Sequence, residues 1–570
     1  MAHTVLYILF HLLFISSYSY VQSTEQGFIS IDISDKGLDF VKDLLISKAI
    51  STLTPLQLPQ IEKSLTIPVV GRVQFTLSNI TIYGVGVSSS TVKPGETGVT
   101  IVATGATANL SMDWRYSYST WLIPIAISDK GSAFVQVEGM EVGLTLELKN
   151  QQGTLKLSLL ECGCYVRDIS IKLDGGASWL YQGAVDAFKE NIGSAVEDAV
   201  SKKIRDGVVT LDSVLQSLPK AIILGDTAAL NVSFVSDPLL TNSSVDLEID
   251  GLFTAKDKVV ISSRYDRNFQ ALGLCKSPDK MAGISLHENV FNSALSVYYD
   301  ANLMHWIVDK IPDQSLLNTA GWRYVIPQLY KQFPDYDMNV NISVASPPLV
   351  KIEKQNIIAT IYTDVTIDVL DAGEVIPVLC ISLEISASGF AEISRNSLAG
   401  GVRLSEFTMS LKWSEIGKLR MHLVQPISPG SQFLHFEPRY TYYETNISSA
   451  FTTSSVPKLE SPLCFPLLLH LFLLKFDSCS RDNRCSANPY SASYKTDTPL
   501  KSLQSVMSTI LKTVVIPYVN LRLRRGFLLP LFDGYKLQDA QIFYINSRIV
   551  ACTDVASVTQ VNLNQLIQNN

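Results

Sequence analysis

Cysteine and charge are both scarce in this chain. Eight cysteines in 570 residues are too few for a fold held together mainly by disulfides. Charged residues make up only 17% of the chain, and the formal net charge of −7 argues against nucleic acid as the main partner. The same balance argues against broad electrostatic adhesion to an anionic membrane.

The sequence also lacks the short motifs of common enzyme classes. It contains no Gly-x-Ser-x-Gly elbow, no His-Glu-x-x-His, no P-loop and no dinucleotide-binding glycine run. His287 and His305 stand next to helical patterns and are expected to be structural. Cys162 and Cys164 have no second pair of Cys or His to complete a zinc site. We therefore expect no enzymatic activity, no cofactor and no metal.

Apolar residues are abundant. The hydrophobic fraction is 46% and the mean hydropathy is +0.19, which is high for a soluble protein. Either the cores are simply large, or surplus apolar surface faces a ligand made of hydrocarbon. A chain of 570 residues is long enough for two or more cores.

Residues 1–23 resemble a secretory signal. An apolar run from Thr4 to Ile15 is followed by a polar segment that ends at Ser23, although a short signal anchor is the alternative. Six glycosylation sequons support export, at Asn79, Asn109, Asn231, Asn242, Asn341 and Asn446. The expected protein is a secreted, extracellular glycoprotein.

The stretch from Leu144 to Val208 organises the first half of the chain. Six leucines with a period of two flank a polar turn and predict a β-hairpin with one apolar face: Leu144, Leu146, Leu148, Leu155, Leu157 and Leu159. An apolar row with helical spacing follows and predicts a helix over Asp174 to Val208, about 50 Å long.

A short helix, many strands and a long helix occur twice in the sequence. The first short helix starts at Ser34 and ends before Pro55. In the second half, a capping box at Ser285 to Glu288 predicts a helix that continues to Val308, and a closing helix stops before Pro517. Each half can therefore wrap a sheet on helices, which predicts an α+β fold with two apolar interiors.

After the predicted signal at residues 1–23, these patterns divide the chain into three parts: a first body at 24–228, a connector at 229–262 and a second body at 263–570. An irregular segment, 428–499, interrupts the second body and is interpreted as an insertion.

Aromatic residues alternate with small polar residues from Asp113 to Trp121. Aromatics with a polar group suit the boundary between lipid and water. The alternative is a strand with one aromatic face turned towards a core.

Five strings in this order resemble one family: Gly27–Leu38, Cys162–Leu173, Ala282–Phe291, Val344–Pro348 and Pro517–Phe527 with Leu529-Pro530. The chain resembles the bactericidal/permeability-increasing protein and lipopolysaccharide-binding protein family, most closely its plant branch. The resemblance implies two tubular lipid-binding barrels of antiparallel strands wrapped on long helices, joined by a central sheet in a boomerang. Each barrel would hold acyl chains in an apolar pocket.

The resemblance also implies the ligands and their sites. Lipopolysaccharide and phospholipid are the expected ligands, with the outer tip of the first barrel meeting lipid A on the bacterial outer membrane surface in innate immune defence. Tip candidates are Lys42, Lys48, Lys93, Trp114, Arg115 and Trp121. Pocket-lining candidates are Leu38, Val41, Leu45, Phe188, Ile192, Val196, Val290, Ala294 and Val297.

This chain departs from the family pattern in two places that affect function. The family bridges a strand cysteine to the long helix, but Ser201 stands at the helix position, so Cys162 or Cys164 either pairs elsewhere or both stay free. The tip string keeps Arg115 but has few other cations, and phosphates of lipid A require Arg or Lys. A phospholipid carrier that does not recognise lipopolysaccharide is therefore the alternative function.

Overall fold

A computed structural model describes the protein over residues 26–67, 71–118, 127–174, 182–256, 279–310, 314–394, 396–417, 500–528 and 534–557, together with Tyr265, Arg267 and Cys275. The predicted signal peptide, the segment 428–499, Trp121 and Asn446 lie outside the described residues. Within the described ranges, all strand pairs reported below are antiparallel.

The first half of the chain forms an eight-stranded sheet against a long helix. Its elements are β1 (Ile29–Ser34), α1 (Asp35–Leu53), β2 (Leu56–Gln57), β3 (Ile61–Ile67), β4 (Gly71–Gly86), β5 (Ser89–Gly95), β6 (Gly98–Tyr118), β7 (Ile127–Gln151), β8 (Thr154–Tyr165), β9 (Asp168–Asp174) and α2 (Gln182–Gln216). The sheet has the order β2-β4-β6-β7-β8, and β3, β5 and β9 pair with β4, β6 and β7, respectively. Its inner face and α2 enclose the first core, which includes Ile80, Leu110 and Val196.

Five short strands connect the halves: β10 (Ala221–Leu224), β11 (Ala228–Asn231), β12 (Leu239–Leu240), β13 (Ser244–Ile249) and β14 (Phe253–Ala255). Strands β10, β11 and β14 form a small sheet of their own. The other two strands join the central sheet described below.

The second half forms a seven-stranded sheet against its closing helices. Its elements are β15 (Ala282–His287), α3 (Glu288–Asp300), β16 (His305–Val308), α4 (Pro327–Gln332), β17 (Asp337–Val344), β18 (Leu349–Ile352), β19 (Ile357–Asp371), β20 (Glu374–Ser394), β21 (Ser397–Ser414), α5 (Leu500–Ile510), α6 (Ile516–Arg525), β22 (Phe527–Leu528), β23 (Tyr535–Ile545) and β24 (Arg548–Ser557). The sheet order is β16-β17-β19-β20-β21-β22, with β18 on β19. Leu503, Met507 and Ile510 of α5 are buried in this second core.

A central six-stranded sheet joins the two halves in the order β12-β13-β1-β15-β24-β23. It combines strands from both ends of the chain, and Arg548 is buried within it. The Arg548 guanidinium donates to Ser30 Oγ, Ser285 Oγ and the Gly27 carbonyl at 3.3, 3.0 and 3.2 Å. The predicted α+β fold with two sheet-and-helix halves and a central sheet is confirmed.

The leucine hairpin is also confirmed. Leu146 lies opposite Leu159, Leu148 lies opposite Leu157, and the turn places Gln152 and Gly153 at φ values of 54° and 91°. Gly153 adopts this left-handed conformation at no steric cost, which allows a tight two-residue turn.

The bounds of the long helix were predicted wrongly at both ends. Asp174 is the last residue of β9, and α2 continues to Gln216, two turns past Val208. The apolar row continues because Leu211 and Leu215 also pack against the leucine hairpin. This extension carries part of the candidate site.

The predicted helix from Ser285 to Val308 is shorter than expected. Ser285 belongs to β15, and His287 is the N-cap of α3, with its Nδ1 accepting from the Asn289 amide at 3.1 Å. Burial, followed by the nearby Arg548 guanidinium, lowers the pKa of His287 to about 4, so the neutral ring can accept this hydrogen bond. The helix ends at Asp300, and His305 lies on strand β16.

The last helix does not stop before Pro517. A single wide turn over Leu511–Val515 has π-helical hydrogen bonding and connects α5 to α6, at whose start Pro517 lies. Proline lacks an amide hydrogen and crowds the preceding turn, and a widened turn accommodates both effects.

Two carboxyl groups face each other in the central sheet. Asp32 on β1 lies directly opposite Asp246 on β13, and one Asp32 oxygen is buried without a hydrogen-bond partner among the described residues. Burial raises the pKa of Asp32 to about 6, and the Asp246 carboxyl adds to the shift. An unfolded aspartate has a pKa of about 3.9. Between roughly pH 4 and pH 6 the folded chain holds a proton that the unfolded chain releases, so the free energy of unfolding falls as pH rises through this window.

We expect Asp32→Asn to remove this pH dependence. The variant should be more stable than the parent by about 1 to 2 kcal/mol at pH 7.5, after discounting for solvent screening, and equally stable at pH 4. Urea unfolding at the two pH values measures the difference. Asp174→Asn, which removes an exposed carboxylate at the end of β9, is the control. An equal stability change at both pH values would contradict the assignment.

Candidate functional site

A cavity of about 470 Å³ lies inside the first barrel. Two helices, α1 and α2, form one wall, and the inner faces of β4, β6 and β7 form the other. The wall residues are Leu45, Ile46, Lys48, Ala49, Ile50, Thr52 and Leu53 of α1, Ile82, Val85 and Val87 at and after β4, Ile101, Ala103, Ala106 and Ala108 of β6, Met140, Val142, Leu144 and Leu146 of β7, and Val200, Lys203, Ile204, Gly207, Val208, Thr210, Leu211 and Val214 of α2.

Small side chains on β6 create part of this space. Ala103, Ala106 and Ala108 all face the cavity, because two shifts in strand register between Ala103 and Ala108 keep them on the inner face. Branched and long apolar side chains surround them, and the few polar groups are on the two helices. Empty apolar cavities hold water poorly and accept hydrocarbon instead.

A second cavity in the same barrel has a volume of only about 40 Å³. Its lining is rich in aromatic and large apolar side chains, including Phe75, Trp114 and Phe188. Phe75 and Phe188 meet edge to face with ring centroids 5.7 Å apart. A space this small adds little room for a ligand.

The structure places the first-barrel pocket candidates in different environments. Leu45 lines the large cavity, whereas Phe188 and Ile192 line the small one and Val196 is buried in the core beside them. Leu38 packs with Val99 and Val245 near the central sheet. Val41 is 43% exposed, so the expectation that it lines the pocket is wrong.

The second-barrel candidates do not reach the second core. Val290, Ala294 and Val297 of α3 pack with Phe28, Leu252 and the small β10-β11-β14 sheet. They line neither of the two cavities described above, nor a more open groove of about 660 Å³ between β8 and α2. Helix α3 is too short to reach the second core, because it ends at Asp300.

The aromatic residues of β6 turn inward. Trp114 and Tyr116 are buried, their rings stack at 6.1 Å, and Tyr116 stacks on Tyr118 at 6.2 Å. The Trp114 indole donates to the Ser132 carbonyl at 3.0 Å. The strand with one aromatic face is therefore the correct interpretation, and Trp114 is not a surface contact for lipid.

The candidate tip cations do not lie together. Lys42 is buried and forms ion pairs with Asp39 and Asp43 at 3.0 and 3.2 Å, so it is not a free surface cation. Lys93 lies opposite Thr100 on β6, fifteen positions before Arg115. At ~3.3 Å per residue this separation is about 50 Å along the strand. Lys42 and Lys93 therefore lie at the central-sheet end of the barrel, and the expectation of one tip cluster is wrong.

Sequence reasoning missed one cation beside Arg115. Lys130 on β7 lies directly opposite Arg115 on β6, and both side chains are exposed on the outer face of the sheet. Like charges in directly opposed positions destabilise a strand pair. Lysine and arginine on separate strands give no local signal of this pairing, since the register of β6 and β7 determines it.

Cys162 and Cys164 are both free in the structure. Burial raises the pKa of Cys162 and raises that of Cys164 to about 12, the latter also because of the Glu197 carboxylate. The side chain of Ser201 lies beside the Cys162 thiol and opposes the rise in its pKa, so the serine occupies the helix position opposite the strand cysteine. These thiols are protonated at neutral pH and therefore poor nucleophiles.

A disulfide that the sequence did not predict joins Cys275 to Cys552. It links the segment before β15 to strand β24 across a sequence separation of 277 residues. Its Cα atoms are 5.9 Å apart, a usual spacing for a disulfide.

All five described sequon asparagines have at least partly exposed side chains, four of them in the first half and the connector and the fifth on β17. These are Asn79, Asn109, Asn231, Asn242 and, on β17, Asn341. Asn79 Nδ2 donates to the Asp113 carboxylate at 2.7 Å. Glycosylation at these positions stays a prediction.

No group of three or more His, Cys, Asp or Glu side chains in the described part of the chain is arranged to hold a metal ion. One helical stretch there, Leu503–Arg525, has the length and composition to cross a membrane. Its first half packs into the second core, whereas Ile516–Arg525 has no buried residue.

The sequence profile of the LBP / BPI / CETP family matches residues 37–218 as its N-terminal domain and residues 223–439 as its C-terminal domain. The chain belongs to this family. A BPI/LBP family protein of Arabidopsis thaliana is 48% identical to it over 94% of both chains. The bactericidal permeability-increasing protein of Sebastes schlegelii is 24% identical, covering 92% of this chain and 94% of that protein.

More distant LBP / BPI / CETP proteins share the fold. Human lipopolysaccharide-binding protein is 22% identical over 69% of this chain and 82% of its own length. A crystal structure of lipopolysaccharide binding protein superposes with a TM-score of 0.55 at 16% identity, covering 93% of this chain and 99% of that one. This similarity confirms the two-part fold. The family match and the Arabidopsis relative confirm the resemblance drawn from the sequence.

Proposed function

We propose that this LBP / BPI / CETP family member is a secreted lipid-binding protein that holds acyl chains in the large cavity of its first barrel. The cavity itself carries the proposal. Its volume of about 470 Å³ falls within the range of roughly 300 to 1,000 Å³ found for ligand pockets.

The chemistry of the wall selects the ligand class. Each methylene moved from water into such a wall contributes about 0.8 kcal/mol, so ten methylenes contribute roughly 8 kcal/mol before the costs of immobilisation. The sheet side of the wall is formed entirely by apolar side chains such as Ile82, Met140 and Leu144. It offers no partner for a polar ligand, which would lose its hydrogen bonds to water.

Two features support secretion. Disulfides persist in oxidising compartments, and Cys275 is bonded to Cys552. The apolar run and the polar segment in residues 1–23 add the pattern of a signal peptide. No catalytic activity is proposed, because the cavity wall contains no Ser, Cys, His, Asp or Glu side chain that could serve as an activated nucleophile or as its general base.

Lipid analysis of the secreted protein tests the proposal. We expect native mass spectrometry to show the chain with bound lipid, and denaturation to release an acylated molecule. The stripped protein should take lipid again from phospholipid vesicles. A protein that leaves its host without lipid and takes none from vesicles would contradict the proposal.

Recognition of lipopolysaccharide in innate immune defence is the second candidate function. Several relatives are named as lipopolysaccharide-binding or bactericidal proteins. Arg115 and Lys130 favour it, because two exposed cations on neighbouring strands suit the phosphates of lipid A. Lys42 and Lys93 do not contribute at this end of the barrel.

Charge reversal separates this candidate from a phospholipid carrier. If lipopolysaccharide is recognised at the outer end of β6, Arg115→Glu/Lys130→Glu should weaken its saturable binding at least tenfold and leave phospholipid uptake unchanged. Glu138→Lys, a charge reversal elsewhere on the exposed face of β7, is the control. Unchanged lipopolysaccharide binding by the double variant, or none by the parent, would contradict recognition at this site.

A further inference from the structure

Polar residues of the cavity wall collect along one flank of each helix. On α2, Lys203, Gly207 and Thr210 recur at intervals of four and three residues, so they share a flank beside the inward-facing apolar row. On α1, Lys48 and Thr52 are one turn apart and lie beside the apolar row in the same way. The two flanks form the polar margin of an otherwise apolar cavity.

The cavity is open at this margin. Lys48, Lys203, Gly207 and Thr210 are all exposed. A Cβ atom placed on Gly207 would meet no heavy atom within 4 Å. The margin between α1 and α2 is therefore a mouth through which one end of a ligand can remain in water.

The charge at the mouth has one sign. Lys48 and Lys203 are the charged residues among those that line the cavity, and no aspartate or glutamate is in the lining. Neither ammonium group forms an ion pair with a described residue, whereas Lys36 and Lys42 of α1 pair with Asp554 and with Asp39, respectively. Two unpaired cations beside an apolar cavity complement an anion attached to a hydrocarbon chain.

We propose that the cavity takes an acylated lipid with an anionic phosphate headgroup, with its chain inside and its phosphate between Lys48 and Lys203. This inference rests on the proposed lipid-binding function and adds selectivity for the headgroup. Ammonium groups bind phosphate through charge-assisted hydrogen bonds. A choline headgroup carries its own cation, which the two lysines would repel. A phosphatidylcholine would therefore gain less affinity from the lysines than an anionic phospholipid would. The same phosphate chemistry occurs in anionic phospholipids and in lipid A.

Competitive loading tests the headgroup preference. Full-length protein stripped of lipid is incubated with vesicles of equal parts phosphatidic acid and phosphatidylcholine with identical acyl chains. The protein is re-isolated, and its bound lipids are counted by mass spectrometry. We expect the parent protein to take phosphatidic acid in at least fivefold excess, and Lys48→Gln/Lys203→Gln to lose this excess while total loading is retained.

Two further variants control for net charge and for structure. Lys202→Gln/Lys220→Gln removes the same charge from exposed positions outside the cavity lining and should leave the preference unchanged. Lys48→Arg/Lys203→Arg keeps both cations and should also preserve it. A parallel loading with lipopolysaccharide distinguishes the source of the phosphate, since lipid A capture with the same lysine dependence supports the mouth as its site.

The outcomes separate this inference from the function on which it rests. Equal loading of the two phospholipids by the parent, or an unchanged preference in Lys48→Gln/Lys203→Gln, would overturn the headgroup assignment and leave lipid binding intact. No loading of any lipid by the parent would overturn both.

Discussion

Replacing Ala103 by phenylalanine is expected to reduce lipid loading of the first barrel more than tenfold. Ala103 lines the large cavity from β6, and the added phenyl ring would fill space that a ligand chain needs. Displacing only two or three methylenes costs about 2 kcal/mol, which already exceeds a factor of ten in affinity. Because the ring enters a space that is already there, we expect only a small change in the free energy of unfolding.

The matched control is one residue further along the same strand. Thr104 is exposed on the outer face of β6, so Thr104→Phe adds the same ring outside the cavity. Loading is measured by mass spectrometry after incubation with phospholipid vesicles, and stability by urea unfolding. If a stable Ala103→Phe protein loads lipid as well as Thr104→Phe does, then the acyl chain does not occupy this cavity.

The sequence predicts the barrel but not the position of its cavity. Leucines at every second position predict the hairpin of β7 and β8. Side chains alternate between the two faces of any strand, so this prediction does not depend on strand pairing elsewhere in the sheet. The cavity depends on where small residues of β6 face the last turns of α2. Which β6 residues face α2 depends on bulges in the β6–β7 register, and the spacing of apolar residues in the sequence does not reveal these bulges. On α1, Leu45 lines this cavity, whereas Val41 faces solvent.

Local signals explain two of the boundary errors. Asn302 follows the end of α3 with φ of 59°, and asparagine in this left-handed conformation is a known helix stop. The apolar spacing, which continues through Met304 and Val308, predicts a longer helix than this stop allows. Similarly, Leu211 and Leu215 continue the row of α2, so the end of that helix could have been predicted from the sequence.

Contacts distant in sequence are where prediction from patterns fails. The separation of Lys93 from Arg115 follows from strand pairing over the whole length of β6. The burial of Lys42 follows from Asp39, Asp43 and the Ser90 carbonyl surrounding its ammonium group. Both features remove cations from the tip and thereby make binding through the cavity the more strongly supported function.

The Cys275–Cys552 bond could not be predicted from the sequence either, since eight cysteines allow 105 complete pairings and their spacing selects none of them.

Removal of the Cys275–Cys552 disulfide has the largest effect on stability that we expect. The bond closes a long loop that contains the second barrel, and Cys552 is buried in the central sheet. Cys275→Ser/Cys552→Ser should lower the free energy of unfolding by about 3 to 5 kcal/mol, because the unfolded chain regains the freedom of that loop.

Urea unfolding of the oxidised parent, the reduced parent and the double variant measures this effect. Reduction of the parent should reproduce the loss in the variant, which excludes an effect of the serine hydroxyls alone. Cys162→Ser, at a partly exposed free thiol, should change stability by less than about 1 kcal/mol. A double variant as stable as the oxidised parent would show that strand pairing alone holds β24 between the halves. In that case the disulfide would no longer support folding in an oxidising compartment.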